Sequence, residues 1–228
     1  HTDNGNPSII AENLEPSEAI TKTLVETLSD GAVLSFGLES ADPSVHEANW
    51  LNCDPGQLKT AIRLINKHGR VRGERGLPKL LPGLNFIAGL NGETEATYGM
   101  NMNLLRDIRS EGLLLRRINI RQVEGEGFQE VPTTAFASFK SACRDEIDKP
   151  LLEELFPLGQ VIHDVHWESH DGRTRLPVHE TELHRAREIH GKAGITFGRQ
   201  IGAYPILVGV EYKICLLYTS PSPRDQCL

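Results

Sequence analysis

The sequence predicts an α/β fold: a parallel sheet or barrel of alternating helices and strands, followed by a small β-rich module. Three observations predict it. Helical and strand patterns alternate as α, β, α, β, α, β over the first half of the chain. Residues 80–94, LLPGLNFIAGLNGET, run from an apolar strand through Gly89 and Gly92 to a polar helix start at Glu93 and Thr94, which is one βα unit of a parallel sheet. From Pro132 the pattern changes, and after Pro157 it reads as short strands.

Taken in order, HTDNGNPSII reads as the end of a strand and a loop, so the first strand is expected to be cut short at His1. Ser17 caps a helix with Ile20, Leu24, Val25 and Leu28 at helical spacing, closed by Gly31. Val33 to Glu39 is a strand. Asp54-Pro55 opens a helix with the stripe Leu58, Ile62 and Ile65, ended by Gly69. Residues 70–79 read as a Gly/Arg-rich loop, 83–89 as the central strand, 94–110 as a helix and 114–123 as the next strand. A helix follows over 134–147 and a short turn over 151–156. Strands are expected at 161–167, 195–197 and 206–210, around a charged segment at 180–190. Residues 1–156 form one unit, 157–212 a β-rich module and 213–228 a tail. Within that tail, CLLYTSPSPRD looks like a translated sequencing adapter, so it is expected to be disordered.

The composition is that of an ordinary globular chain, 39% hydrophobic and 24% charged, and the net charge of -7 argues against a general nucleic-acid footprint. No apolar run is long enough to span a bilayer, and none of signal-peptide type opens the chain. Cys53, Cys143, Cys215 and Cys227 are scattered with no Cys-x-x-Cys pair, which points to a reducing cytoplasm.

Alternation along the strands sets Ser35, Gly37 and Glu39, then Asn85, Ile87 and Gly89, then Arg117, Asn119 and Arg121, each opposite an apolar side. Polar sides that meet line a cavity. Burying Glu39 or Arg121 there without a partner would cost several kcal/mol, so either a hydrophilic ligand or a Glu39–Arg121 ion pair is required.

FGLESADP before a helix, NFIAGLNGET before a helix, and RRINIRQV together resemble the second half of a radical S-adenosylmethionine (radical SAM) core. More narrowly, LESADP, RGLPKLLPGLNF and LLLRRINIRQV resemble archaeal radical-SAM proteins of unassigned substrate that carry a C-terminal helix-hairpin-helix. The resemblance runs from His1 to about Tyr212. It implies a partial (β/α)6 barrel and a [4Fe-4S] cluster held by a Cys-x-x-x-Cys-x-x-Cys loop. It further implies reductive cleavage of S-adenosylmethionine to a 5′-deoxyadenosyl radical that abstracts hydrogen from substrate.

That cysteine triad does not occur in this sequence, so the cluster loop is expected before His1, and the fragment alone is expected to be inactive. The family's Gly-Leu-Pro-Gly turn stands here as Gly89-Leu90-Asn91-Gly92. By position, the resemblance assigns Glu39 and Ser40 to the ribose or methionyl group of the cofactor and Asn85 and Gly89 to its adenosine. Arg121 goes to the methionine carboxylate or a substrate anion. An electron donor is an implied partner; the substrate is unknown, with RNA one candidate.

The histidines do not read as a metal site. His179-Glu180-x-x-x-His184 is one residue too long to set two imidazoles on one helical face, and solvated surface histidines are the plain reading. The module from Val161 to Val210 offers Arg173, Arg175, Arg185, Arg187 and Arg199. A noncatalytic RNA- or nucleotide-binding module is therefore the rival function, although Glu180, Glu182 and Glu188 blunt the field.

Overall fold

The computed structural model describes residues 2–156, 162–168, 195–200, 202–204 and 206–210. The chain divides into two compact units, His1–Phe156 and Pro157–Leu228. The tail at 213–228 and the histidines from His170 to His190 lie outside the described residues.

The first unit holds four parallel strands in the order in which they occur, β1 (Asn4–Gly5), β2 (Ala32–Glu39), β3 (Leu80–Ala88) and β4 (Arg117–Gln122). Helices fill every connection: α1 (Pro7–Glu12) and α2 (Leu14–Thr27), then α3 (Pro43–Asn49) and α4 (Pro55–Gly69), then α5 (Glu95–Ser110). A sheet wound in one direction by right-handed crossovers gathers its helices on one face. Burial agrees. Ala32, Leu34, Phe36 and Leu38 of β2 and Leu80, Leu84, Phe86 and Ala88 of β3 are buried, whereas Ser35, Gly37 and Glu39, with Asn85 and Ile87, are half-buried. This is an α/β fold with one covered and one open sheet face.

Local sequence explains most boundaries. Asp54 caps α4 by accepting from the Gly56 and Gln57 amides, while Gln57 accepts from the Asp54 amide. The helix stops at Gly69, where any Cβ would run into the carbonyl of Leu80. Asn66 of α4 donates to the Leu114 carbonyl (3.0 Å) and accepts from its amide (2.8 Å). That side-chain clamp takes the backbone of Leu114 out of the ladder, so β4 starts at Arg117, three residues later than the sequence pattern suggests.

After β4 the helix expected over 134–147 is two pieces, α6 (Thr133–Ala142) and a π-helical turn (Cys143–Asp148), and the short turn expected over 151–156 is the helix α7 (Lys149–Leu155). Pro150 has no N–H to give, and its ring would strike the carbonyl one turn back. The helix widens just before it. On the covered side, Phe139 of α6 meets Phe86 edge-on at 5.5 Å, and Tyr98 of α5 lies 5.7 Å from Phe136. The second unit contributes an antiparallel sheet of β5 (Ile162–Glu168), β6 (Ile195–Gln200) and β7 (Leu207–Val210).

Candidate active site on the open face of the parallel sheet

Parallel register sets the residues of the open face in rows. Ser35, Gly83 and Arg117 form one row, and Gly37, Asn85 and Asn119 the next. Beyond them Ile87 pairs with Arg121. Asn119 Nδ2 donates to Asn85 Oδ1 (2.8 Å), and Arg117 Nε donates to Asn119 Oδ1 (2.8 Å). A polar chain thus crosses from β4 to β3.

Glu39 enters this face by a bulge. The β2–β3 register slips between Gly37 and Glu39, so Gly37 pairs with Asn85 and Glu39 with Phe86. Strict alternation from Phe86 would turn Glu39 toward the helices. Instead Glu39 takes φ 69°, a left-handed conformation unusual for a side chain of its size. A Cβ on Gly37 would strike Glu39 Oε1, which places the carboxylate over Gly37 on the Asn85 side.

Oε2 of Glu39 is buried and has no hydrogen-bond partner among the described residues. Burial pushes this carboxyl above its ordinary range, and the charge of Arg121 opposes the shift. Arg121 is exposed and lies too far away for an ion pair. The ion-pair alternative therefore does not describe this face. Glu39 stands as an unpartnered carboxylate held in a strained backbone, and such strain collects at functional positions.

The turns at the strand ends are firmly tied. Glu93 is buried, and its Oε2 accepts from the Gly89 amide (2.9 Å) and the Tyr98 hydroxyl (2.8 Å). Burial and then the Glu93 carboxylate raise the Tyr98 pKa. The Gly92 amide donates to Gln129 Oε1 (3.0 Å), and the Gly89 carbonyl accepts from the Gln129 amide (2.9 Å). Asn49 grips Asn91 on both backbone groups, at 3.1 and 2.7 Å. Gly89, at φ 97°, packs so closely on the Val123 carbonyl that no side chain fits. Its amide and carbonyl are both engaged within the protein, which leaves only its bare Cα surface to a ligand.

Ser40 is fully buried, and its hydroxyl accepts from the Asp42 amide (3.2 Å). Asp42 in turn caps α3 at Ser44 and accepts from the Thr97 hydroxyl (2.6 Å), while the Ala41 amide donates to Asn101 (2.6 Å). Ser40 thus helps to turn the chain and lies out of reach of a ligand on the open face. Of the five expected site residues, the sheet places Glu39, Asn85 and Arg121 on the open face and gives Gly89 and Ser40 structural work. Sequence reading missed Glu93, Asn49 and Asn101; only the position of Glu93 beside a glycine turn hinted at its part.

No group of three or more metal-ligating side chains occurs among the described residues. Cys53 and Cys143 are each buried, their thiols pushed up to about 12 chiefly by burial. His163 and His166 lie on β5, and Arg199 on β6; the other arginines of the nucleic-acid reading lie outside the described residues. No described helix is long and apolar enough to cross a membrane.

No family model matches the chain. It is 40% identical over 223 residues to an uncharacterized protein of Archaeoglobus fulgidus, covering 93% of this chain and 38% of that protein. An uncharacterized protein of Methanocaldococcus jannaschii is 37% identical over 223 residues, covering 93% of this chain and 37% of its own length. The chain thus spans well under half the length of these curated relatives.

Proposed function

We propose that the open face binds S-adenosylmethionine as part of a cytoplasmic radical-SAM enzyme, with Glu39 taking the cationic methionyl end. The carrying observation is the unpartnered Oε2 of Glu39, held over Gly37 by a bulge and a positive φ. An ammonium or sulfonium placed there would satisfy a carboxylate that the fold itself leaves unpaired. Asn85 spends its Oδ1 on Asn119 and keeps its amide N–H groups for a ribose or adenine acceptor. The one-directional parallel sheet and its clamped turns suit a partial barrel that binds at its strand ends.

In such an enzyme an iron–sulfur cluster supplies the electron that cleaves the cofactor. The described residues do not fit a cluster, since their two thiols are buried singly and resist ionisation. This chain's own part is to bind and orient the cofactor and to shield Glu39 from water.

Calorimetric titration with S-adenosylmethionine tests this. The chain is expected to bind it saturably, and Glu39→Gln to weaken binding by about tenfold or more, the loss of one charge-assisted contact. Affinity should also fall as pH drops through the raised carboxyl pKa, because a protonated Glu39 no longer attracts a cation. Equal affinity of wild type and variant would remove Glu39 from the site.

A further inference from the structure

The two arginines of β4 mark out a chemistry that Glu39 does not explain. Arg117 and Arg121 share the open face, four residues apart, hence about 13 Å along the strand. Neither has a carboxylate partner among the described residues, and the chain carries a net charge of -7. Arg63, Arg106, Arg109 and Arg144 of this unit are each ion-paired, whereas Arg117 and Arg121 stand exposed on one strand face without a carboxylate among the described residues.

The surroundings reinforce it. Asn119 lies between the two arginines and draws the Arg117 guanidinium along the strand toward Arg121. Its single bond uses Nε and leaves the terminal N–H groups of Arg117 for a ligand. Beside Arg117 the row continues as Gly83 and Ser35; Gly83 is buried, and a Cβ there would clash with Val33 at 2.9 Å, so the exposed Arg117 forms the accessible end of this row.

We infer that Arg117 and Arg121 form an oxyanion-binding pair that holds the phosphoryl groups of the substrate along β4. Planar guanidinium groups match phosphate oxygens two at a time, and two of them spaced along a strand suit a ligand with more than one phosphoryl group. This rests on the open face being the site where cofactor and substrate meet. The cofactor's cation lies toward Glu39 on β2, and the substrate's anions lie on the opposite wall.

The probe is inorganic tripolyphosphate, titrated calorimetrically into the 228-residue chain without S-adenosylmethionine, with adipate as the dicarboxylate comparison. Tripolyphosphate is expected to bind saturably and more tightly than adipate. Arg117→Gln and Arg121→Gln should each weaken it by about tenfold, the double variant should abolish it, and Arg106→Gln should leave it unchanged. No saturable binding, or binding that survives the double variant, overturns the pair. Tighter adipate binding overturns the phosphoryl assignment. Loss of S-adenosylmethionine affinity alone in Arg121→Gln gives that arginine to the cofactor and also overturns the pair. Tripolyphosphate binding by a chain that ignores S-adenosylmethionine upholds the pair and sinks the radical-SAM reading instead.

Discussion

At the scale of single residues, Glu39 is held against its own preferences in three ways. Its backbone is left-handed, its Oε2 is buried without a donor, and its carboxyl pKa is raised by burial. A folded pKa above the unfolded one means that the folded state holds this proton more tightly. Stability is then lost as pH rises from the ordinary carboxyl range through the raised value. Glu39→Gln removes the buried charge and is expected to raise stability by about 1 kcal/mol near neutral pH, and by little in acid. Urea midpoints at the two pH values measure it; a variant less stable than wild type at neutral pH would contradict the account. A substitution that stabilises the fold while weakening ligand binding identifies a residue kept for binding. Alternation along Val33 to Glu39 predicted the open face for Glu39, but the side chain reaches it through a bulge that alternation does not contain. The reason is local. Glu39 pairs with Phe86, and only the φ of 69° returns its side chain to the Asn85 side. Nothing in the residue types at 37–39 beyond the glycine signals that slip. Ser40 illustrates the converse: a polar residue at a strand end can serve the chain's own turn as readily as a ligand.

At the scale of elements, α4 is where charge organises the packing. Glu18 of α2 accepts from Lys67 (2.9 Å) and His68 (2.8 Å) of α4, and Lys22 lies 3.4 Å away. Glu111, the residue that caps α5, accepts from Arg63 (2.8 Å) and meets Lys59 (2.6 Å), both on α4. Hydrogen bonds from these cations lower both carboxyl pKa values to about 2. Their sign is opposite to that of Glu39. A depressed folded pKa gives stability that is present above the unfolded value and lost as pH falls toward the folded one. Between about pH 4.5 and about pH 2 the wild type should therefore lose stability more steeply than a Glu18→Gln/Glu111→Gln variant. Thermal midpoints across that range measure the difference, and parallel curves would remove these contacts from the acid response. The elements themselves were largely legible because their signals are local: Asp54-Pro55 starts α4, Gly69 ends it, and Thr94 caps α5. Those set by distant partners were not. Asn66 delays β4 by holding Leu114, and Pro150 converts the preceding turn to a π-helix inside a pattern that reads as one helix.

At the scale of the whole molecule, the parallel unit combines a rigid rim with a chemically exposed floor. Asp42 to Thr97, Ala41 to Asn101, Asn49 to Asn91 and Glu93 to Gly89 tie the loops at the strand ends to one another and to α5. The sheet face below them carries a carboxylate without a donor and two arginines without a carboxylate partner among the described residues. That arrangement suits a scaffold that positions small molecules. It supplies no thiolate chemistry of its own. Cys53 gives its S–H to the Asp54 carbonyl (3.3 Å), and Cys143 is buried in the π-helical turn, where burial and then Asp148 raise its pKa. An iron–sulfur cluster needs several convergent thiolates, and two isolated thiols that ionise only near 12 cannot provide them. Anaerobic reconstitution of this chain with iron and sulfide is therefore expected to leave no stable cluster after desalting. Incubation with S-adenosylmethionine and a reductant should yield no 5′-deoxyadenosine, although the cofactor itself binds. Iron and sulfide retained in cluster stoichiometry, lost when Cys53 and Cys143 are both replaced by Ala, would show that these two thiols are not the inert core residues that their burial makes them.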